Sequence, residues 1–328
     1  IPLRLVGSEM CIRDRFPADH PCYAGEIGIG PNPKLKERIA SSDLVLLIGG
    51  RMAEMPSQSY TLFDIPKPQM AFVHVHADAE ELGRVYHPTL GINATPQAFA
   101  AALEALQPPQ DMAWAGSASA AHADFEAWTS KPVAHANALD MADVMLWLRD
   151  HLPASAIVTN GAGNYAIWVG RFLRYRQFGS QLAPTSGSMG YGVPAAVGAK
   201  RLAPNRMVVA FAGDGCFMMH GQEFATAVQY DLPIIVVVVD NGMYGTIRMH
   251  QEREYPSRVS ASTLKNPDFA AYARAFGGHG ERVERTDEFA AAFERCVASG
   301  KPSIIHCLTN PEVLTPSMTI TQMREAKK

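Results

Sequence analysis

No stretch of this 328-residue sequence approaches the ~20 consecutive apolar residues that a membrane-spanning helix needs, which sets that class of fold aside. Cysteine is scarce. The five residues Cys11, Cys22, Cys216, Cys296 and Cys307 are odd in number and show no CxxC spacing. A disulfide scaffold or a zinc-type ligand set is therefore not expected, and a reducing cytoplasm is the default compartment. An excess of charge is also missing: 29 Lys and Arg stand against 32 Asp and Glu, for a net charge of −3. That balance offers no electrostatic case for nucleic acid or an anionic membrane as partner. No internal repeat is evident. What remains is 47% hydrophobic and 19% charged residues, ordinary for a soluble α/β protein, in a chain long enough for two domains with their own cores.

The most informative stretch is residues 207–247. Met207 to Ala212 is an apolar run of strand length, followed at once by Gly213, Asp214 and Gly215. A helix is expected over Phe217 to Tyr230, stopped by Pro233, and Ile234 to Val239 is a second, β-branched run. Two such runs around a helix read as a βαβ unit whose parallel strands are buried on both faces. Ligands of such sheets lie outside the carboxyl ends of the strands. Asp214 stands just past the first strand and Asn241 just past the second. This layout suits a magnesium diphosphate. Flanking glycines let backbone N–H groups approach an anion at a helix start. Asp214 supplies a hard carboxylate and Asn241 a neutral oxygen, and Mg²⁺ completes its octahedron with phosphate oxygens and water. For Gly-Asp-Gly alone, a helix cap that binds nothing is an even alternative. Asn241 after the next strand favours the ligand. Cys216 beside the loop reads as a small residue in tight packing, with a nucleophile as the other option.

Gly-Asp-Gly followed, one helix and one strand later, by Asp240-Asn241 resembles the signature of thiamine-diphosphate-dependent enzymes. The stretches TSGSMGYGVPAAVGAK at 185–200, NGMYGTIRMHQ at 241–251 and NPDFAAYARAFG at 266–277 are similar to the acetolactate synthase (acetohydroxyacid synthase) branch. The resemblance covers nearly all of residues 16–310. It implies an α/β fold of two doubly wound parallel-sheet domains, a partial Rossmann-like middle domain and a diphosphate-binding domain. It implies thiamine diphosphate and Mg²⁺ as cofactors, with Asp214, Asn241 and the backbone carbonyl of Met243 on the metal. Gly213, Gly215 and Cys216 would border the diphosphate. Asn164 and Tyr165, in a loop matching the family's Gly-Gln-His-Gln, would donate to its oxygens. Met189, which by itself reads as core, would wedge the cofactor into its bent form, and the carbonyl of Gly187 would accept from its 4′-amino group. Tyr244, Gly245, Thr246 and Ile247 would line the same pocket. One position departs from the family pattern: its usual first Asn is Asp240 here.

Along the chain, LVGSEMCIRDR at 5–15 resembles the translation of a sequencing adaptor, so residues 1–15 are expected to be non-native and the natural N-terminus to be missing. Residues 16–107 read as part of the middle domain, with a helix at Leu35–Ile39, strands at Leu44–Ile48 and Phe72–Val75, and a helix over Pro96–Leu106 capped by Thr95. Gly49, Gly50 and Arg51 match a Gly-Ala-Arg stretch that approaches FAD in acetolactate synthases, but Met52, Ala53, Glu54 and Met55 then depart from it. A flavin site and a plain strand-end turn with Arg51 solvated or salt-bridged both stay open. His74 and His76, lacking a carboxylate or Cys at ligand spacing, read as rim histidines. Residues 108–140 read as a linker carrying a short surface helix near Phe125 and Trp128. Residues 141–310 read as the diphosphate-binding domain, with a helix ending before Pro153, a strand at Ala156–Thr159, a helix at Pro267–Phe276 and a strand at Ser303–Leu308. Residues 311–328 read as a mobile tail. Arg248 and His250 are candidates to meet an acidic substrate, a solvated loop histidine being the alternative.

The implied activity is decarboxylation of a 2-oxo acid such as pyruvate and ligation of the product to an acceptor carbonyl. A sibling decarboxylase or lyase acting on a 2-oxo acid or acyl-CoA, or a non-catalytic cofactor-binding fragment, are the alternatives. In the family a glutamate on a separate pyrimidine-binding domain activates the cofactor, so this chain is expected to carry the diphosphate and metal half of the site without that residue. A homodimer or homotetramer is implied for the full-length protein.

Overall fold

The computed structural model describes residues 13–107, 109–110, 112–130 and 139–326. Most of the segment read as foreign, and parts of those read as linker and tail, lie outside the described residues. The chain divides into two compact units, Ile1–Ser130 and Lys131–Lys328.

In the first unit, α1 (Pro33–Ala40) starts where the Asn32 side chain accepts the Lys34 N–H and Pro33 presets the first turn. It buries Leu35 and Ile39. Strands β1 (Leu44–Ile48), β2 (Ala71–His76) and β3 (Leu90–Asn93) form a parallel sheet in that order. Its core gathers Leu35, Ile39, Phe63, Phe72 and Tyr86. Helix α2 (Pro96–Glu104) is capped by Thr95, whose hydroxyl accepts the Ala98 N–H at 3.2 Å. Within the stretch read as a linker with a short surface helix near Phe125 and Trp128, that helix is α3 (Ser117–Ser130), longer than expected and packed on α1. Its Ala121, Phe125 and Thr129 recur every fourth residue and are buried, a stripe hidden in the sequence by the surrounding Ala and Ser. Asp124 fastens it by accepting from Lys34 Nζ at 2.7 Å and Arg38 Nε at 3.0 Å.

The second unit opens with α4 (Met141–His151), β4 (Ile157–Asn160), α5 (Tyr165–Phe172), β5 (Gln181–Leu182) and α6 (Gly192–Leu202). Then come β6 (Val208–Gly213), α7 (Asp214–His220), α8 (Glu223–Gln229), β7 (Ile235–Asp240) and α9 (Gly245–Glu254). It continues with α10 (Phe269–Ala275), β8 (His279–Val283), α11 (Thr286–Ser299) and β9 (Ser303–Leu308). Six strands form a fully parallel sheet in the order β5-β4-β6-β7-β9-β8. Alternate residues serve opposite faces, as strand geometry requires. Val209, Phe211, Val237 and Val239 join a cluster with α4, α5 and α11. Val208, Ala210, Val236 and Val238 join another with α6, α8 and α10. Helices thus cover both faces, and the β-branched runs are the consequence of double burial.

Two expectations differ from the structure here. The single helix expected over 217–230 is broken at Gly221 and Gln222 into α7 and α8, and a Cβ on Gly221 would meet the Phe217 ring at 2.5 Å. The expected tail is structured. Residues Val313–Thr315 (β10) and Met318–Thr319 (β11) pair antiparallel, and Ile320–Glu325 (α12) follows. Leu314, Ile320 and Met323 bury against Met243 and Met249, and Arg324 grips the fully buried Glu252 of α9 through two hydrogen bonds, 2.6 and 2.8 Å. Among the described residues, no helix is long and apolar enough to cross a membrane.

Candidate functional site

The strand order sets the location. The connection leaving β4 leads to β5 on one side, and that leaving β6 leads to β7 on the other. A crevice opens at such a reversal, outside the carboxyl ends of the strands. There a cavity of about 300 Å³ is lined by the loops that follow β4, β6, β7 and β9. After β4 come Asn164 and Tyr165; ahead of α6 come Gly187 and Met189; after β6 come Gly213 to Cys216. Asn241, Met243 and Tyr244 to Ile247 complete the set after β7, so the residues assigned to cofactor and metal from the sequence all border one space.

At its floor, Asp214 is 3% exposed. The Met243 N–H donates both to Asp214 Oδ2 at 3.1 Å and to the Asn241 Oδ1 at 3.2 Å. Two side-chain oxygens from neighbouring strand ends therefore converge on one amide. Asn266 Nδ2 also donates to Asp214 Oδ2, at 2.7 Å. Burial pushes the Asp214 carboxyl up to about 6 against the hydrogen bond from Asn266, and the nearby Asp240 charge adds to the rise. Gly215 is required by close approach, since a Cβ there would meet the Tyr244 ring at 2.5 Å.

Asn164 does not stand free: its Oδ1 accepts from the Thr246 hydroxyl at 2.9 Å, which ties the β4 loop to the start of α9. The Tyr165 hydroxyl, expected to donate to a diphosphate, lies 3.3 Å from Cys216 Sγ inside the protein. Cys216 Sγ also accepts the Gly190 N–H at 3.2 Å, so the thiol is a packing joint between three loops. Met189 is both readings at once, partly buried against the core and lining the cavity. Arg248 turns away from the cavity. Its Nε donates to Ser262 Oγ at 2.9 Å and its Nη2 to Thr263 Oγ1 at 3.1 Å. His250 is exposed on helix α9 rather than in a loop.

Several lining residues were not read from the sequence. Leu139, Met141 and Trp168 supply apolar wall, and Thr309, Asn310, Val313 and Leu314 come from the segment after β9. The strand-end rule applied to β9 would have found Thr309 and Asn310. Asn266 and His306 were missed as well. A lone histidine in the run SIIHCL was a signal for a buried polar partner, and it is one: His306 Nε2 lies 2.9 Å from Asp240 Oδ2. Burial raises the Asp240 carboxyl, but hydrogen bonds from His306, the Gly242 N–H and Asn266 outweigh it and hold the group below the usual carboxylate range.

The donor set fits a magnesium ion better than a transition metal. Among the described residues there is no cluster of three His, Cys, Asp or Glu that could hold a metal by themselves. One carboxylate and one amide oxygen leave most of an octahedron to phosphate oxygens and water, as Mg²⁺ prefers, and cannot build the four-ligand protein shell of a structural zinc. In the first unit, the Gly49–Arg51 loop engages its own surroundings: Arg51 lies 3.7 Å from Glu81, and His74 Nε2 donates to the Gly50 carbonyl at 3.0 Å.

Comparison with known proteins places the chain in a family. Residues 161–307 match the model of the thiamine pyrophosphate enzyme C-terminal TPP binding domain, and residues 6–103 that of the thiamine pyrophosphate enzyme central domain. The large subunit of acetolactate synthase isozyme 2 from Escherichia coli (strain K12) is 30% identical over 292 residues, covering 88% of this chain and 52% of the relative. A sulfoacetaldehyde acetyltransferase from Alcaligenes xylosoxydans xylosoxydans is 28% identical over 337 residues, covering 92% and 56%. A probable acetolactate synthase large subunit from Methanocaldococcus jannaschii is 27% identical over 313 residues, covering 92% and 52%. The chain spans about half the length of these relatives.

Proposed function

This chain belongs to the thiamine pyrophosphate enzymes, whose central and C-terminal TPP-binding domains it carries, and from that premise we propose that it serves a carboligase of the acetolactate synthase type acting on 2-oxo acids such as pyruvate. The observation that carries the cofactor reading is the convergence of Asp214 Oδ2 and Asn241 Oδ1 on the Met243 N–H at the floor of the cavity. Asp214, Asn241 and the Met243 carbonyl would hold Mg²⁺, and Gly213, Gly215 and Asn164 would border the diphosphate. Bound thiamine diphosphate supplies the electron sink that decarboxylation and ligation of a 2-oxo acid need. The chain's own part is to hold and orient. Asn266 and the Met243 N–H fix the Asp214 carboxylate. Met189, Leu139, Trp168 and Leu314 give the cavity apolar wall, and water kept out by such a wall would strengthen every polar contact inside it.

A second reading, acetyl transfer, is favoured by relatives named sulfoacetaldehyde acetyltransferase, 28% identical in two organisms against 27–30% for the acetolactate synthases above. The cavity lining holds the carboxylates Asp140 and Asp214 and no glutamate among the described residues, so the chain on its own is expected to bind cofactor without turnover. Calorimetric titration with Mg²⁺ and thiamine diphosphate tests the site, and failure to bind both would sink it. Product analysis with pyruvate on the full-length protein separates the activities. Acetolactate supports the carboligase, acetyl transfer to another acceptor the second reading, and free aldehyde a simple decarboxylase.

A further inference from the structure

Asp240 stands one residue before the proposed metal ligand Asn241 and is 7% exposed. It does not line the cavity, and its carboxylate is fully engaged. Oδ2 faces His306 Nε2 at 2.9 Å, and Oδ1 accepts the Gly242 N–H and Asn266 Nδ2, each at 2.8 Å. On its other side, His306 Nδ1 accepts the Phe269 N–H at 3.3 Å. A carboxylate only accepts, so Nε2 is the donor to Asp240, and Asp268 Oδ1 lies 3.7 Å from Nδ1 on the far side of the ring. The same Asn266 Nδ2 donates to Asp214 Oδ2 at 2.7 Å. Both carboxylates can only accept, so the Asn266 amide has one orientation that serves them, and one nitrogen joins them. The donors reaching the two groups are backbone amides, Asn266 and His306, none of them a fixed cation.

Resting on the reading that Asp214 and Asn241 take a divalent cation, we infer that Asp240 is a second anion of that site, acting through Asn266, and that it lets the site hold the cation before a diphosphate arrives. A site with a single carboxylate depends on phosphate oxygens for most of its negative charge. Here a second charge lies one hydrogen-bonded amide away in a buried setting, where charges are poorly screened. His306 is the positioning residue of the arrangement. It fixes Asp240, and with it the face of Asn266 that orients Asp214.

The test is a Mn²⁺ titration of the whole chain, read by the electron paramagnetic resonance of free Mn²⁺, first without and then with thiamine diphosphate. Wild-type protein is expected to bind Mn²⁺ in both arms. Asp240→Asn should weaken the diphosphate-free affinity by roughly ten-fold or more, and the affinity with thiamine diphosphate by less. His306→Gln keeps a donor for Asp240 and should bind like wild type, whereas His306→Leu should follow Asp240→Asn. A merely structural tie between β7 and β9 would move unfolding temperature and leave these affinities unchanged. Binding of Mn²⁺ by wild type only when thiamine diphosphate is present overturns the inference and leaves the cofactor reading standing. That measurement needs no variant, so it decides the matter even where Asp240→Asn fails to fold. Absence of binding in both arms removes the cofactor reading as well.

Discussion

At the carboxyl end of β1, Gly49-Gly50-Arg51 closes on itself, with His74 donating to the Gly50 carbonyl and Arg51 facing Glu81. At the carboxyl end of β6, Gly213-Asp214-Gly215 opens onto a cavity, and the Asp214 carboxylate is joined there by an oxygen from the next strand's end. Both are glycine loops at the tips of parallel strands. The difference lies beneath them. Strand β7 is buried along its whole length and β6 up to its last residue, whereas β1 is exposed at both ends and half-buried between. A deeply buried sheet holds its strand tips rigidly enough to aim side chains from two loops at one point. Deep burial also makes an unsolvated carboxylate costly unless something binds it. The comparison teaches that a glycine loop at a strand end becomes a candidate site through convergence of buried polar atoms, not through its own composition.

The comparison can be broken by mutation. Phe211→Ala, in the centre of the six-stranded sheet, should cost about 3–5 kcal/mol in urea unfolding, while Leu44→Ala on β1 should stay within about 0.5 kcal/mol. Similar losses at both would erase the contrast between the sheets. Asp214→Ala should weaken joint binding of Mg²⁺ and thiamine diphosphate by roughly 100-fold or more in calorimetry. Arg324→Ala leaves Glu252 buried without its partner and should destabilise the segment after β9 by about 2 kcal/mol, less than a fully buried pair because Arg324 is partly exposed. The Arg324 hydrogen bonds hold the Glu252 carboxyl below its ordinary value of 4.5 against the effect of burial. A depressed carboxyl contributes its stability fully above the unfolded value and loses it as pH falls through the folded one. The thermal-unfolding difference between wild type and Arg324→Ala should therefore shrink below pH 4.5. The smallest effect is expected at Arg51. Arg51→Ala should change stability by under about 1 kcal/mol and leave cofactor binding untouched. Flavin absorption in the purified protein, lost in Arg51→Ala, would overturn the reading of that loop as a self-satisfied turn.

Much of this was legible in the chain. Leu44–Ile48 and Ser303–Leu308 were read with the bounds the structure has, because a short, largely apolar run between turn residues has few other fates. The cavity-bordering loops were legible because they follow strand ends. Helix α3 was legible only in part: a short surface helix was read near Phe125 and Trp128, but its full length and its buried stripe were not, since that stripe is built from Ala and Thr with one Phe. The segment after β9 was misjudged because its anchors, Arg324 on Glu252 and Met323 on the Met243 cluster, are contacts across about eighty residues of sequence or fewer. Tyr165 illustrates a subtler limit. Its position beside the cavity followed from the loop, but the direction of its hydroxyl, onto Cys216, depended on a packing partner from another strand end.

The order of apolar runs and glycine loops alone determined that parallel strands would be buried on both faces and that Asp214 and Asn241 would stand at neighbouring tips, because strand periodicity and the crossover rule act locally along the chain. Whether their oxygens would meet, which carboxylate would be shared through Asn266, and that His306 would lie against Asp240 were decided only by the assembled sheet. Those outcomes depend on the stagger between β7 and β9, where Val238 pairs with His306 and Asp240 with Leu308. Register of that kind is set by the packing of both faces at once, and no single segment carries it.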